Sequence, residues 1–71
     1  MSELRPNEHR PGRWCIDERE LQDGDLIEIY NENRWHVARY EYRLPYKEYQ
    51  LKIDGKTVRI VPGTRARLFT H

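Results

Sequence analysis

The chain has 71 residues, of which 37% are hydrophobic and 35% are charged, and its formal net charge is +1 at pH 7. A chain of this length holds one domain with a small core, since it buries only about 60% of the surface that its unfolded form exposes. The single cysteine, Cys15, excludes an intramolecular disulfide, and no Cys/His spacing suits a zinc site, so we expect no metal and no other cofactor. No apolar run has the length of a membrane span or a signal peptide core, which predicts a soluble cytoplasmic protein.

The charges are distributed unevenly along the chain. Residues 1 to 36 have five Lys/Arg and nine Asp/Glu, a net charge of −4 (5 − 9), whereas residues 37 to 71 have eight and three, a net charge of +5 (8 − 3). This asymmetry hints at an acidic face and a basic face. Two Trp, five Tyr and well-spaced β-branched residues favour a folded domain over a disordered chain.

The first eleven residues predict a flexible N-terminal arm (1–11) in front of a domain that spans 12–71. The arm contains Pro6, Pro11 and a single apolar residue after Met1, Leu4, so we expect its removal to leave the melting temperature nearly unchanged. A short strand is predicted from residue 13 to 17. Residues 18 to 20 then form a turn or, in the alternative, residues 17 to 22 form one turn of helix.

A hairpin is the most informative local prediction. Asp23-Gly24-Asp25 is typical of a chain reversal, and the strand after it places Ile27 and Ile29 on one face. The polar turn Asn31-Glu32-Asn33 leads into a second strand, from 34 to 42. The inward face of this second strand is left open, although barrel geometry favours Ala38 with its neighbours His36 and Tyr40.

Three further strands are predicted after Pro45. In the segment 48–54 we expect Tyr49, Leu51 and Ile53 inside and Gln50 outside, and Asp54-Gly55-Lys56 forms the next hairpin turn. Val58 and Ile60 are predicted to face inward in 57–61, and Ala66 and Leu68 in the last strand, 64–69.

The motif of Leu21, Gly24-Asp25 and Ile27-Glu28-Ile29, followed by a polar turn and Arg34-Trp35, resembles the start of SH3-like barrels of the Tudor and chromo-barrel kind. The resemblance implies an all-β fold, a small SH3-like barrel of about five antiparallel strands. The chain is also similar to a family of small bacterial proteins of unknown function, which carries no assigned activity. The segments that carry this second resemblance are Gly12-Arg13-Trp14, Ile27-Glu28, Trp35 to Arg39 with Glu41, and Val58-Arg59-Ile60.

The chain offers little for catalysis. His9 lies in the arm, His71 is terminal, and His36 has no partner base in sequence, while Cys15 is expected to be a small buried thiol. We therefore predict that the protein is not an enzyme and that it has no catalytic residues.

Aromatic residues interleaved with arginines carry the leading functional hypothesis. Aromatic faces stack bases, and guanidinium or lysine side chains reach phosphates, so the pattern predicts a binding module for nucleic acid. The competing interpretation is that the tyrosines fill the core and the arginines cover a solvated face. Outward cations of the last three strands, among them Lys52 and Lys56, extend the basic surface. The candidate nucleic-acid-binding residues are Arg39, Tyr42, Tyr46, Arg59, Arg65 and Arg67.

The alternative function is a protein-binding adaptor or inhibitor of phage or plasmid type. In this hypothesis the acidic first hairpin contacts a protein partner through Glu28, Glu32 and Trp35. No membrane partner is expected in either hypothesis, and the oligomeric state is left open.

Overall fold

The computed structural model describes residues 2–69, and these residues form strands and turns without any helix, which confirms the all-β prediction. No helix among them is therefore long and apolar enough to cross a membrane. Within this range the strands are β1 (Leu4–Pro6), β2 (Trp14–Ile16), β3 (Arg19–Glu20), β4 (Leu26–Asn31), β5 (Arg34–Arg43), β6 (Glu48–Ile53), β7 (Lys56–Arg59) and β8 (Ala66–Leu68).

A five-stranded antiparallel sheet forms the larger part of the fold. Its strand order is β7-β6-β5-β4-β8, so β4 to β7 form a meander and the chain then returns to place β8 beside β4. Ile27 lies between Ala38 on β5 and Leu68 on β8. The predicted division of β4 is confirmed, because Ile27 and Ile29 are buried while Leu26 and Tyr30 are exposed.

Two tight turns fix the register of the meander. Glu32 and Asn33 connect β4 to β5 with φ of 52° and 64°, and Asp54 and Gly55 connect β6 to β7 with φ of 51° and 78°. Positive φ at both central residues matches the right-handed twist of the flanking strands. Both predicted hairpins are therefore confirmed.

The N-terminal residues form a second, three-stranded antiparallel sheet in the order β1-β2-β3. Leu4 pairs with Ile16 in this sheet and its side chain is 0% exposed. The Leu4 amide also donates to the Thr64 carbonyl at 2.8 Å, and the Gly63 amide donates to the Leu4 carbonyl at 2.8 Å. β1 thus joins the two sheets.

The expectation of a flexible arm over residues 1 to 11 is wrong, because β1 lies within this segment and pairs with β2. It rested on the single apolar residue of the segment, and that residue is fully buried; residue 1 lies outside the described residues. The alternative of a helical turn at 17 to 22 is also wrong, because Asp17 has a φ of 57° and β3 begins at Arg19.

One core lies between the two sheets. On β5 the favoured inward face is confirmed, since Ala38 and Tyr40 are buried and Val37 is exposed. The predicted faces of β6 and β7 are confirmed, because Gln50 pairs with Arg59 on the outer side and Val58 pairs with Leu51 on the inward side. The expected burial of Val58 is wrong, since its side chain is 42% exposed, and Gln50 is buried although it faces outward. The buried apolar residues are Leu4, Ile16, Leu21, Ile27, Ile29, Ala38, Tyr40, Leu51 and Ala66, with Ile53, Ile60 and Leu68 packed against them.

Candidate nucleic-acid interface

The sheet register determines which candidate residues share a surface. Residues directly opposite each other in antiparallel strands project their side chains to the same side. We use the term outer face for the side of the five-stranded sheet that is opposite the core. Its residues are Leu26, Glu28 and Tyr30 of β4, Trp35, Val37, Arg39, Glu41 and Arg43 of β5, Glu48, Gln50 and Lys52 of β6, Thr57 and Arg59 of β7, and Arg67 of β8.

One end of the outer face holds an aromatic pair covered by arginines, which we call the Trp35 cluster. Tyr30 and Trp35 are cross-strand partners with ring centroids 5.4 Å apart. The guanidinium carbon of Arg67 lies 3.8 Å from the Trp35 ring centroid, and that of Arg65 lies 5.1 Å from the Tyr30 centroid. Arg67 Nε also donates to Glu28 Oε1 at 3.0 Å.

The Trp35 cluster unites residues that the sequence assigned to rival functions. Arg65 and Arg67 were candidates for nucleic acid, whereas Trp35 and Glu28 were candidates for a protein partner. Arg67 covers one face of the Trp35 ring, so a base cannot stack on the indole there. The guanidinium plane is itself a surface on which an unpaired base stacks, and the terminal Nη groups of Arg67 are left for an incoming phosphate.

A pocket of about 580 Å³ lies at the opposite end of the outer face, where β5 turns into β6. Gln50 Nε2 donates to Glu48 Oε2 at 2.8 Å, and Arg59 donates to both oxygens of the same carboxylate at 3.1 and 3.4 Å. The hydrogen bond from Gln50, followed by those from Arg59, holds the pKa of Glu48 below its ordinary value. The lining residues are Arg43, Tyr46, Glu48, Gln50, Thr57 and Arg59.

Two of the nucleic-acid-binding candidates, Tyr46 and Arg59, both line this pocket. Tyr46 is 65% exposed in the turn, so its ring is open to a ligand. Arg43 has a buried Nε without a hydrogen-bond partner among residues 2–69, and its nearest carboxylate oxygen, on Glu41, is 3.8 Å from Nη1. Two guanidinium groups and one tyrosine ring therefore border the same opening.

A row of cations connects the two clusters across the middle of the sheet. Arg39 lies between Leu26 on β4 and Lys52 on β6, and Lys52 faces Thr57 on β7. Both cationic side chains are exposed. Neither forms an ion pair or a side-chain hydrogen bond with any residue in the described range, in contrast to Arg59 and Arg67. The charge of this Arg39–Lys52 row is therefore available to an external anion.

Tyr42 does not belong to the outer face. Its ring contacts Tyr49 with centroids 5.1 Å apart, and Tyr49 in turn stacks on Tyr40 at 4.4 Å with an interplanar angle of 5°. Arg13 covers Tyr49 at 5.1 Å. The structure thus places Tyr42 in an aromatic stack on the inner side of β5, away from the other nucleic-acid candidates.

The acidic residues near the first hairpin are partly occupied within the fold. Glu28 binds Arg67, Asp23 accepts the Tyr42 amide at 2.8 Å and Asp25 accepts the Gln22 amide at 2.8 Å. Glu32 is exposed in the hairpin turn. Of the protein-binding candidates, Glu32 is therefore the carboxylate that remains unengaged in the described part of the chain.

The charge asymmetry follows the two sheets. Residues 2 to 25, which contain the three-stranded sheet, have four Lys/Arg and seven Asp/Glu, a net charge of −3 (4 − 7). Residues 26 to 69, which contain the five-stranded sheet, have nine and five, a net charge of +4 (9 − 5). The basic surface is therefore carried by the larger sheet.

No group of three His, Cys, Asp or Glu side chains within residues 2–69 is arranged to hold a metal ion. Burial, with a smaller effect of the Glu20 charge, raises the pKa of the Cys15 thiol. Comparison with protein-family models, curated proteins and solved structures finds no match to this chain. The similarity to SH3-like barrels and to a bacterial family thus stays a prediction.

Proposed function

We propose that this protein is a non-enzymatic module that binds single-stranded nucleic acid across the outer face of its five-stranded sheet. The observation that supports this most directly is the unpaired Arg39–Lys52 row, which lies between two clusters of arginine and aromatic residues. In this proposal the row binds backbone phosphates. Bases stack on the Arg67 guanidinium at one end and on Tyr46 at the other.

The shape and charge of the outer face favour a single strand. Neighbouring strands lie about 4.8 Å apart, so the five strands span about 20 Å, a width that a few unpaired nucleotides cross. The five Lys/Arg side chains of the outer face (39, 43, 52, 59 and 67) and Arg65 of the Trp35 cluster oppose three glutamates (28, 41 and 48), a net charge of +3 (6 − 3). A moderate positive charge favours binding that weakens as salt rises.

The test is a titration of the protein against fluorescently labelled single-stranded and duplex oligonucleotides, followed by anisotropy at several salt concentrations. Reversal of the row in Arg39→Glu with Lys52→Glu is expected to weaken binding strongly at low salt and to reduce the magnitude of the log–log salt slope by about 1.4, since it removes two phosphate contacts that each contribute about −0.7. Tyr46→Ala is expected to cost about 1–3 kcal/mol if its ring stacks on a base.

The matched control reverses two exposed cations of the three-stranded sheet, Arg5→Glu with Arg19→Glu. It changes the net charge by the same amount, and the ion pair of Arg5 with Glu3 is solvent-exposed and contributes little stability. This control should bind like the unaltered protein. The absence of saturable binding at every salt concentration, or equal loss in both double variants, would contradict the proposal.

A protein partner on the same face is the second candidate. It is favoured by the apolar side chains beside Arg39: Val37 is 46% exposed and Leu26 is also exposed. Trp, Tyr and Arg are enriched in protein interfaces, so the Trp35 cluster suits such a partner as well. In that case no oligonucleotide binds, and a copurifying protein is released by Val37→Glu or by Glu32→Lys.

A further inference from the structure

We propose that the free edge of β7 is a second docking site, which takes an extended acidic segment of a partner protein as an additional strand. The first support is that β7 is the outermost strand of the sheet, with β6 as its one neighbouring strand within residues 2–69. Ile53 and Lys56 close a two-residue hairpin and exchange both backbone bonds, so the alternation of an antiparallel ladder directs the amides and carbonyls of Thr57 and Arg59 away from β6. Neither residue makes another backbone hydrogen bond within residues 2–69.

An apolar groove of about 420 Å³ lies beside this edge. Val58 of β7 and Val61 of the following loop are 42% and 63% exposed, although both line the groove. Ile29, Leu51 and Ile53 form its apolar floor. A strand that pairs with Thr57 and Arg59 brings alternate side chains over Val58, so one apolar side chain of that strand fills the groove.

The charges around the edge determine the occupant. Lys56 at one end of β7 and Lys52 on the adjacent strand have no carboxylate partner among the described residues, whereas Arg59 at the other end of β7 is paired with Glu48. The side chains of Thr57 and Arg59 lie on the outer face with Lys52, whereas those of Lys56 and Val58 lie on the side of the groove. Carboxylates of an added strand opposite Thr57 and Arg59 therefore face Lys52, and the apolar residue between them lies over Val58, so an acidic segment with alternating apolar residues fits this edge.

The test uses a capped hexapeptide of alternating Glu and Val as the probe, titrated into the full chain labelled with nitrogen-15. Amide resonances are expected to shift saturably in β7 and in residues 61 to 64, and hydrogen exchange of the Thr57 and Arg59 amides is expected to slow at least about tenfold, because both become hydrogen-bonded. A hexapeptide of alternating Lys and Val, matched in length and apolar content, is expected to cause no saturable shift.

Two variants address the groove. Val58→Glu is expected to abolish the shifts, whereas Val37→Glu, at a valine of similar exposure on the outer face, is expected to retain them. Val61 lies in a loop and is exposed, so Val61→Glu is the substitute if Val58→Glu does not fold. It is also expected to abolish the shifts. The proposal is overturned if the acidic peptide causes no saturable shift up to about 1 mM, a weak affinity of about 4 kcal/mol. It is equally overturned if both peptides act alike or if the shifts centre on β4 and β5 instead of β7.

Discussion

Tyr40 is the largest buried side chain in the fold, and it contacts both sheets. Its ring stacks on Tyr49, while its hydroxyl oxygen accepts a hydrogen bond from the Trp14 amide of β2 at 3.2 Å. Tyr40→Phe keeps the ring and removes the acceptor, which leaves the partly buried Trp14 amide unpaired. We expect the free energy of unfolding to fall by about 1 kcal/mol at pH 7, measured by urea titration. Tyr42→Phe, whose hydroxyl is in a more exposed position, is the control and should change it little.

The same substitution should alter the alkaline limit of stability. Burial raises the pKa of the Tyr40 hydroxyl above its ordinary value of about 10. The raised pKa stabilises the fold fully below pH 10, and this contribution is lost as the pH rises from there toward the pKa of the folded state, since the unfolded chain ionises first. The stability difference between the native protein and Tyr40→Phe should therefore shrink above pH 10. A difference that stays constant from pH 8 to 11 would contradict this expectation.

At the scale of the elements, the β4–β5 and β6–β7 hairpins have the same turn geometry, but different residues occupy the two central turn positions. Asp54-Gly55 supplies a glycine, which adopts positive φ without a steric penalty, whereas the first hairpin holds Glu32 at a φ of 52°. A left-handed conformation costs an ordinary residue about 1–2 kcal/mol, and asparagine tolerates it better. Glu32→Asn should raise the free energy of unfolding by about 0.5 kcal/mol, measured by thermal or urea denaturation. Glu32→Gln removes the same charge without relieving the backbone and should leave stability unchanged; an equal gain in both variants would assign the effect to charge.

The elements that the sequence predicted are those whose signals are local. Turn residues such as Asp54-Gly55 and the alternation around Ile27 and Ile29 lie within a few positions of the structure that they determine. The exposure of Val58 was not predictable in this way, because it depends on whether another strand covers β7. Gln50 is buried for a comparable reason, since Glu41 and Arg59 flank it on neighbouring strands.

In the candidate interface, too, the features with local sequence signals were predicted and those that depend on distant strands were not. Alternation alone predicted that Arg59 and Arg67 face outward. The stacking of Arg67 on Trp35 requires β8 to return beside β4, a pairing between Glu28 and Arg67 that spans 39 residues and has no local signal. Sequence reasoning therefore found Trp35, Arg65 and Arg67 and divided them between two functions, and it did not identify Tyr30 as a site residue.

At the scale of the whole molecule, one short strand connects an acidic sheet to a basic one. β1 pairs with β2 and also hydrogen-bonds to residues 63 and 64, and Leu4 fills the core between the sheets. In so small a domain the buried apolar residues are few, so each is a large fraction of the total stability. The N-terminal segment is thus structural, although its composition resembles that of a linker.

This role replaces the expectation that residues 1 to 11 can be removed without effect. Leu4→Ala should lower the free energy of unfolding by about 2–5 kcal/mol, the usual result of removing a fully buried leucine, and deletion of residues 1 to 7 should destabilise more because the backbone bonds to residues 63 and 64 are lost as well. Arg5→Ala in the same strand has an exposed side chain and is the matched control, with an expected change within about 0.5 kcal/mol. Circular dichroism at increasing temperature measures all three. A melting temperature unaffected by Leu4→Ala would show that β1 does not hold the sheets together. A melting temperature lowered by Leu4→Ala but not by Arg5→Ala would show that the Leu4 side chain connects the two sheets.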